Sequence, residues 1–251
     1  MVIFLRVLAT EALKVKRTLA LWMVLVAPSA IVLLSFLIMF FGAERLARGG
    51  GDQWRQLTSN TTGLWTLLMM PMFVTLETSL LAGLEHAEKN WKSLLALPAP
   101  RWTIYAAKLL VMIAMLWAAH LVLFGLTYGS AFVLRATRPV LGLDALPLLP
   151  FAGLLVRISG AALFGLAIQH WVSLRWQSFP AALGFGMCAM ILGFVAANSP
   201  EWGRWVPWSM PIFTSGVSRA AGVINPLPVA LAGAAVVAVL GAWHFSRREI
   251  A

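Results

Sequence analysis

The chain has 251 residues, of which 61% are hydrophobic and only 11% charged, and its mean hydropathy is +0.85. A soluble domain carries about twice that charged fraction, so the surplus apolar surface has to meet lipid; this predicts an all-α polytopic membrane protein. The net charge of +10 is that of many nucleic-acid binders, yet Lys and Arg sit at the ends of apolar runs and form no single stripe, which argues against nucleic acid as a partner.

Residues 1–18 alternate apolar positions with Arg6, Glu11, Lys14, Lys16 and Arg17, the pattern of an interfacial helix on the inner leaflet. A signal peptide is the rival reading, but the apolar run that follows, 19–41, has 23 residues, against about 7–15 for an h-region. At about 1.5 Å per residue it spans roughly 35 Å, enough to cross a bilayer, and Pro28 predicts a kink. The polar stretch 42–61, with Gly49, Gly50 and Gly51, predicts an external loop, and 62–83 is the second span, with Pro71 near its middle. Residues 84–102 form a polar loop on the cytoplasmic side. The third span is 103–134, its first turn holding Lys108 at the interface, and the fourth is 147–174, interrupted by Arg157. A tight inner turn leads to the fifth span, 179–197. The segment 198–225, rich in Trp and Pro, is external, and 226–245 is the sixth span before a basic tail.

Strands of a β-barrel would alternate polar and apolar residues, whereas apolar runs here exceed twenty. A single cysteine, Cys188, leaves no disulfide within the chain, no C-x-x-C pair and no zinc cluster. Near the span ends, eleven Lys and Arg fall on the side that holds the N-terminus and seven on the other, so both termini are expected in the cytoplasm. Trp22, Trp65, Trp102, Trp171, Trp176 and Trp243 fall close to span ends, as an aromatic belt requires.

The loop 84–102 is built to be a helix with two faces. Glu85 precedes Lys89 by four residues and Glu88 precedes Lys92 by four, each pair worth about 0.2–0.5 kcal/mol in a helix. Trp91, Leu94 and Leu95 give it an apolar side. It serves either as a docking element for a cytoplasmic partner or as a connector lying on the headgroups.

These residues resemble a known family. The run Glu11–Arg17, EALKVKR, is similar to the start of ABC-2 type transporter permeases, and so is a first inner loop carrying Glu85, Glu88, Lys89, Trp91, Lys92, Leu94, Leu95, Leu97 and Pro98, followed by Arg101 and Lys108. Before the last span, Pro207, Trp208 and Pro211 resemble a P-W-x-x-P feature of the same group. Within it the likeness points to the permeases of lantibiotic-immunity and bacitracin-type exporters. The resemblance implies a six-helix half-transporter of the bacterial cytoplasmic membrane. It would dimerise with itself or a sister permease and work with two cytoplasmic ATPase subunits that hold ATP and Mg. It further implies that the first inner loop docks on the ATPase and that the segment after the fifth helix packs at the outer side.

The chain itself has no G-x-x-x-x-G-K-[ST] loop and no H-E-x-x-H pair, so it is expected to be non-catalytic, with no cofactor or metal of its own. An intramembrane serine protease would need Gly before Ser159–Gly160 or Ser215–Gly216 in a G-x-S-G motif; Arg157 and Phe213 stand there instead.

Three ionisable residues fall inside predicted spans: Glu77, His120 and Arg157. A charge at mid-bilayer costs at least about 2.5–3.5 kcal/mol, so each is expected to face protein or water. They either line the translocation path or lock the bundle as structural pairs; by depth, Glu77 and His120 are within reach of each other. Pro207, Trp208 and Pro211 form either an external gate or an interfacial Trp anchor. Met69, Met70 and Met72 beside Pro71 form either an adaptable wall or ordinary packing. The functional expectation is the permease subunit of an ATP-driven exporter of an amphipathic or membrane-active substrate, such as an antimicrobial peptide; the alternative is a non-transporting scaffold or sensor that recruits a cytoplasmic partner.

Overall fold

The computed structural model describes residues 2–16, 18–87, 100–176, 178–218 and 225–247, and among these no strand occurs. Helix α1 covers Val2–Val15 and α2 covers Leu19–Gly49. Helix α3, Gln53–Leu64, passes through a π-helical segment, Trp65–Met69, into α4, Met70–Ala87. Then come α5, Arg101–Thr137, α6, Leu148–Arg175, and α7, Phe179–Ala196. Two short helices, α8 at Pro200–Gly203 and α9 at Met210–Ser215, precede α10, Leu227–Ser246. Among the described residues, six segments are long and apolar enough to cross a bilayer: α2, the continuous run Gln53–Glu85, α5, α6, α7 and α10. The protein is the all-α polytopic membrane protein that its composition predicts.

Packing follows from where the apolar faces lie. Helix α2 packs on α5, α10 lies along α6, and α4 fits between α6 and α7. The core they enclose holds Leu57, Trp65, Phe73, Leu116, Leu123 and Ile158. The outward faces of α2 (Trp22, Leu25, Leu33, Phe41) and α10 (Val236, Val239, Leu240) are apolar and exposed, as lipid-facing surface must be. A smaller cluster of Ala82, Ile104, Tyr105, Leu174 and Phe245 gathers the ends of α4, α6 and α10 and the start of α5, with Val7 of α1 packed against it. Both ends of the described chain therefore lie on one side of the body, here called proximal; the opposite side is distal.

The helices overrun the predicted boundaries at the distal end. The stretch 42–61, read as a loop, is helical except at the α2–α3 turn, where Gly50 and Gly51 adopt φ of 67° and 98°. Ala43, Glu44, Leu46, Ala47 and Arg48 are good helix formers. Their polarity marks where α2 leaves lipid, not where it ends. Asp52 then caps α3, its carboxylate accepting from the Arg55 N–H at 3.1 Å.

The π segment sits just ahead of Pro71. Proline has no N–H to give to the carbonyl four residues back, and its ring crowds that carbonyl. The helix widens instead, with the Met70 N–H bonded to the Trp65 carbonyl five residues back. This widening turns Trp65 into the core.

Candidate functional site

Four charged side chains meet at the proximal end. Lys108 Nζ, on the second turn of α5, donates to Glu11 Oε2 of α1 at 2.6 Å and to Glu85 Oε1 of α4 at 2.9 Å. Lys14 Nζ donates to Glu11 Oε1 at 2.8 Å and to the same Glu85 oxygen at 2.5 Å. The side chain of Lys108 is 3% exposed, and those of Glu11 and Glu85 are 6% and 3% exposed. Two cations and two anions leave the quartet neutral, which is what allows it to be buried. For Lys14, partial burial pulls its pKa down, but hydrogen bonds and Coulombic attraction from Glu11 and Glu85 outweigh that and hold it above the usual lysine value. The quartet ties α1, the end of α4 and the start of α5 together, so it fixes both roots of the 88–99 stretch. Of the residues read as the docking surface, only Glu85 is in view; Glu88, Lys89, Trp91, Lys92, Leu94 and Leu95 lie outside the described residues.

At the distal end the chain after α7 turns back into the body. Met210, Ile212 and Phe213 of α9 are buried against α6, and Thr66 of the π segment donates to Ser215 at 3.4 Å. Trp202 and Trp205 stay exposed, in keeping with interfacial anchoring. Trp208 behaves differently. Its backbone crosses α7 at Gly193, where a Cβ would fall 2.5 Å from the Trp208 Cβ, and its ring faces Gly165 of α6 and stands edge-on to Phe185 at 5.9 Å. Together with Pro207 and Pro211 it closes a narrow apolar cleft whose other walls include Met70, Pro71, Val74 and Leu166. Two features noticed separately in the sequence, the Met-Pro wall and the Pro-Trp segment, are thus two sides of one cleft.

The membrane-embedded polar residues are not one cluster. His120 Nε2 accepts from Trp65 Nε1 at 3.1 Å, which places the ring proton on Nδ1, 2.9 Å from the Leu116 carbonyl and 3.2 Å from the Ser159 hydroxyl. It locks α5 to the π segment and to α6. Glu77, 2% exposed, has neither carboxylate oxygen hydrogen-bonded among the described residues, and no pairing with His120 or Arg157 is made. Arg157 is exposed, one turn distal to Gly160, whose added Cβ would lie 2.8 Å from Leu227 at the start of α10. With 20 residues, α10 is about 30 Å long, the thickness of the hydrocarbon core. Arg157 therefore lies near the level at which α10 begins, within the apolar run Leu148–Arg175, with its side chain on the exposed surface.

The model of a family described as ABC-2 family transporter protein matches residues 7–196, three quarters of the chain. The chain belongs to the ABC-2 transporter family. It is the membrane-spanning permease subunit of an ABC transporter. Comparison with curated proteins and with solved structures gives no match. The part matched in this ABC-2 permease includes the whole ionic quartet and stops at the end of α7, ahead of Trp208 and α10. Sequence reasoning had placed Glu11, Lys14 and Lys108 of the permease merely at the interface and missed their convergence on Glu85. The signal that was available is the excess of charge at Glu11, Lys14 and Lys108 in segments otherwise destined for burial.

Proposed function

We propose that this ABC-2 permease is the membrane half of an ATP-driven exporter whose 88–99 stretch docks on cytoplasmic ABC ATPase subunits. The ionic quartet is the observation that carries the reading. A surface loop with no mechanical task needs no buried anchor, whereas a loop that takes a push must be rooted in something rigid. Glu11, Lys14, Glu85 and Lys108 provide that root on three helices at once. The chain has no phosphate-cradling loop, so ATP and Mg bind in the separate ATPase. A second permease, identical or homologous, completes the transporter in the bacterial cytoplasmic membrane. The cargo is an amphipathic or membrane-active molecule such as an antimicrobial peptide, in keeping with the likeness to immunity-type permeases and with an apolar cleft closed by Pro207, Trp208 and Pro211.

The test is co-expression with an ABC ATPase encoded beside it. The complex is expected to co-purify and to hydrolyse ATP faster than the ATPase alone. Replacing Trp91 with Ala together with Glu88, Lys89 and Lys92 with Ser should abolish that stimulation while leaving the permease in the membrane. A stable assembly containing no ATPase would instead establish the scaffold reading.

A further inference from the structure

Arg157 is a cation without a counter-ion in a run of sequence built for lipid. It lies inside the apolar segment Leu148–Arg175, its side chain is exposed, and among the described residues no ion pair reaches it. A charge in such a run is costly until an opposite charge or water meets it. The chain's own acids do not serve. Glu11 and Glu85 are held by lysines, Asp144 pairs with Arg135 at 3.7 Å, and residues 219–224, which lead into α10, contain no acid. The surface on the proximal side of Arg157 is apolar and continuous across two helices. Arg157, Gly160 and Phe164 share one face of α6. A Cβ at Gly160 would lie 2.8 Å from Leu227 and 3.8 Å from Leu231, and one at Gly233 would lie 2.6 Å from the Phe164 ring, so this face meets α10. Leu231, Ala235 and Val239 then continue down α10 at four-residue spacing, all exposed. Helix α10 is the least enclosed of the six spans, with 11% of its most apolar stretch buried.

We propose that Arg157 and the strip formed by α6 and α10 are a binding site for one phospholipid, whose phosphate is held by the guanidinium while an acyl chain lies along Gly160, Leu231, Ala235 and Val239. The order of parts on the protein is that of the ligand: a cation at the distal edge, then about 12 Å of apolar surface from Leu231 to Val239. The guanidinium offers a planar fork of donors that matches two phosphate oxygens at once. A strip that ends in one cation suits a molecule anionic at one end and apolar beyond it, which an acidic side chain of a second copy is not. The site stands apart from the ionic quartet and does not depend on the transport reading.

The experiment is native mass spectrometry of the purified full-length permease in detergent, titrated with dioleoyl-phosphatidylglycerol and with dioleoylglycerol, which has the same chains and no phosphate. Phosphatidylglycerol is expected to bind at least tenfold more tightly, and glycerophosphoglycerol, the headgroup without chains, to show no saturable binding. Arg157→Gln should weaken phosphatidylglycerol at least fivefold while leaving dioleoylglycerol within twofold. Arg55→Gln, which removes an exposed arginine from the polar helix α3, should leave both lipids within twofold. Because the Arg157 side chain is exposed, Arg157→Gln should also keep the wild-type unfolding temperature in lipid-free detergent, which separates lost binding from lost folding. Equal affinity of the two lipids, tight binding of the chain-free headgroup, an Arg157→Gln protein that binds phosphatidylglycerol as the wild type does, or an equal loss in Arg55→Gln overturns the assignment. So does an Arg157→Gln permease that passes from dimer to monomer with lipid binding intact, an outcome that gives Arg157 to a second copy.

Discussion

Replacing Lys108 with Met removes the cation that bridges α1 and α4. Its Nζ lies 2.6 Å from Glu11 and 2.9 Å from Glu85, in a side chain 3% exposed, so the change keeps the volume and deletes the charge. Two buried carboxylates are then left sharing Lys14 alone. Breaking a buried pair by removing one partner costs about 3–5 kcal/mol, because the charge left behind has no compensation. In a chain of this size each kcal/mol lowers Tm by about 2–4 °C, so a fall of roughly 6–20 °C is expected. Thermal unfolding of the detergent-solubilised permease, followed by tryptophan fluorescence, measures it. The control is the double variant Lys108→Met with Glu11→Gln. It leaves Lys14 facing Glu85, restores neutrality and should recover at least half of the loss. A Lys108→Met protein within about 2 °C of the wild type would refute the reasoning, and so would a double variant whose loss equals the sum of the singles.

Three further outcomes are expected. Lys14 has its pKa raised in the folded state, so its contribution is complete below the unfolded lysine value of about 10.4 and disappears as pH climbs through the folded value. Tm should therefore be insensitive to Lys14→Gln in its pH dependence up to about pH 9, and the variant should flatten the alkaline fall seen in the wild type, in a thermal scan across pH. His120→Ala leaves the Trp65 indole N–H buried without an acceptor, at a cost of about 1–3 kcal/mol in addition to the cavity, read as a lowered Tm. Gly193→Ala places a Cβ 2.5 Å from the Trp208 Cβ and 2.9 Å from its carbonyl carbon; backbone cannot swing aside, so overpacking of about 1–3 kcal/mol should lift the 203–211 segment and increase its cleavage by added protease.

The six spans were legible because apolar runs of eighteen or more residues have few other fates. What the sequence concealed is instructive in each case. Hydropathy records where a helix meets lipid, and α2 continues for several residues beyond that point because Ala, Glu, Leu and Arg all favour helix. Pairings across the chain were invisible for another reason. Glu11 and Lys108 are 97 residues apart, and Trp65 and His120 are 55 apart, and no local pattern encodes which distant partner a charge or an indole will find. His120 was expected within reach of Glu77; the π segment rotates Trp65 into that place instead. The Pro-Trp segment was readable as stiff and amphipathic, but its return into the body depends on Gly165 and Gly193, which look like unremarkable small residues in two different spans.

Helix α5 has 37 residues, about 55 Å of rod, while a lipid interior is about 30 Å thick. With Lys108 pinned near one end, most of the remaining length has to stand clear of the opposite leaflet. There it is joined by α3 and by the first turns of α6, bound by Trp54, Tyr128 and Phe151 in one cluster of tilted and edge-on rings. The surface offered to the surroundings on that side is consequently a short stiff turret of folded architecture with little slack chain.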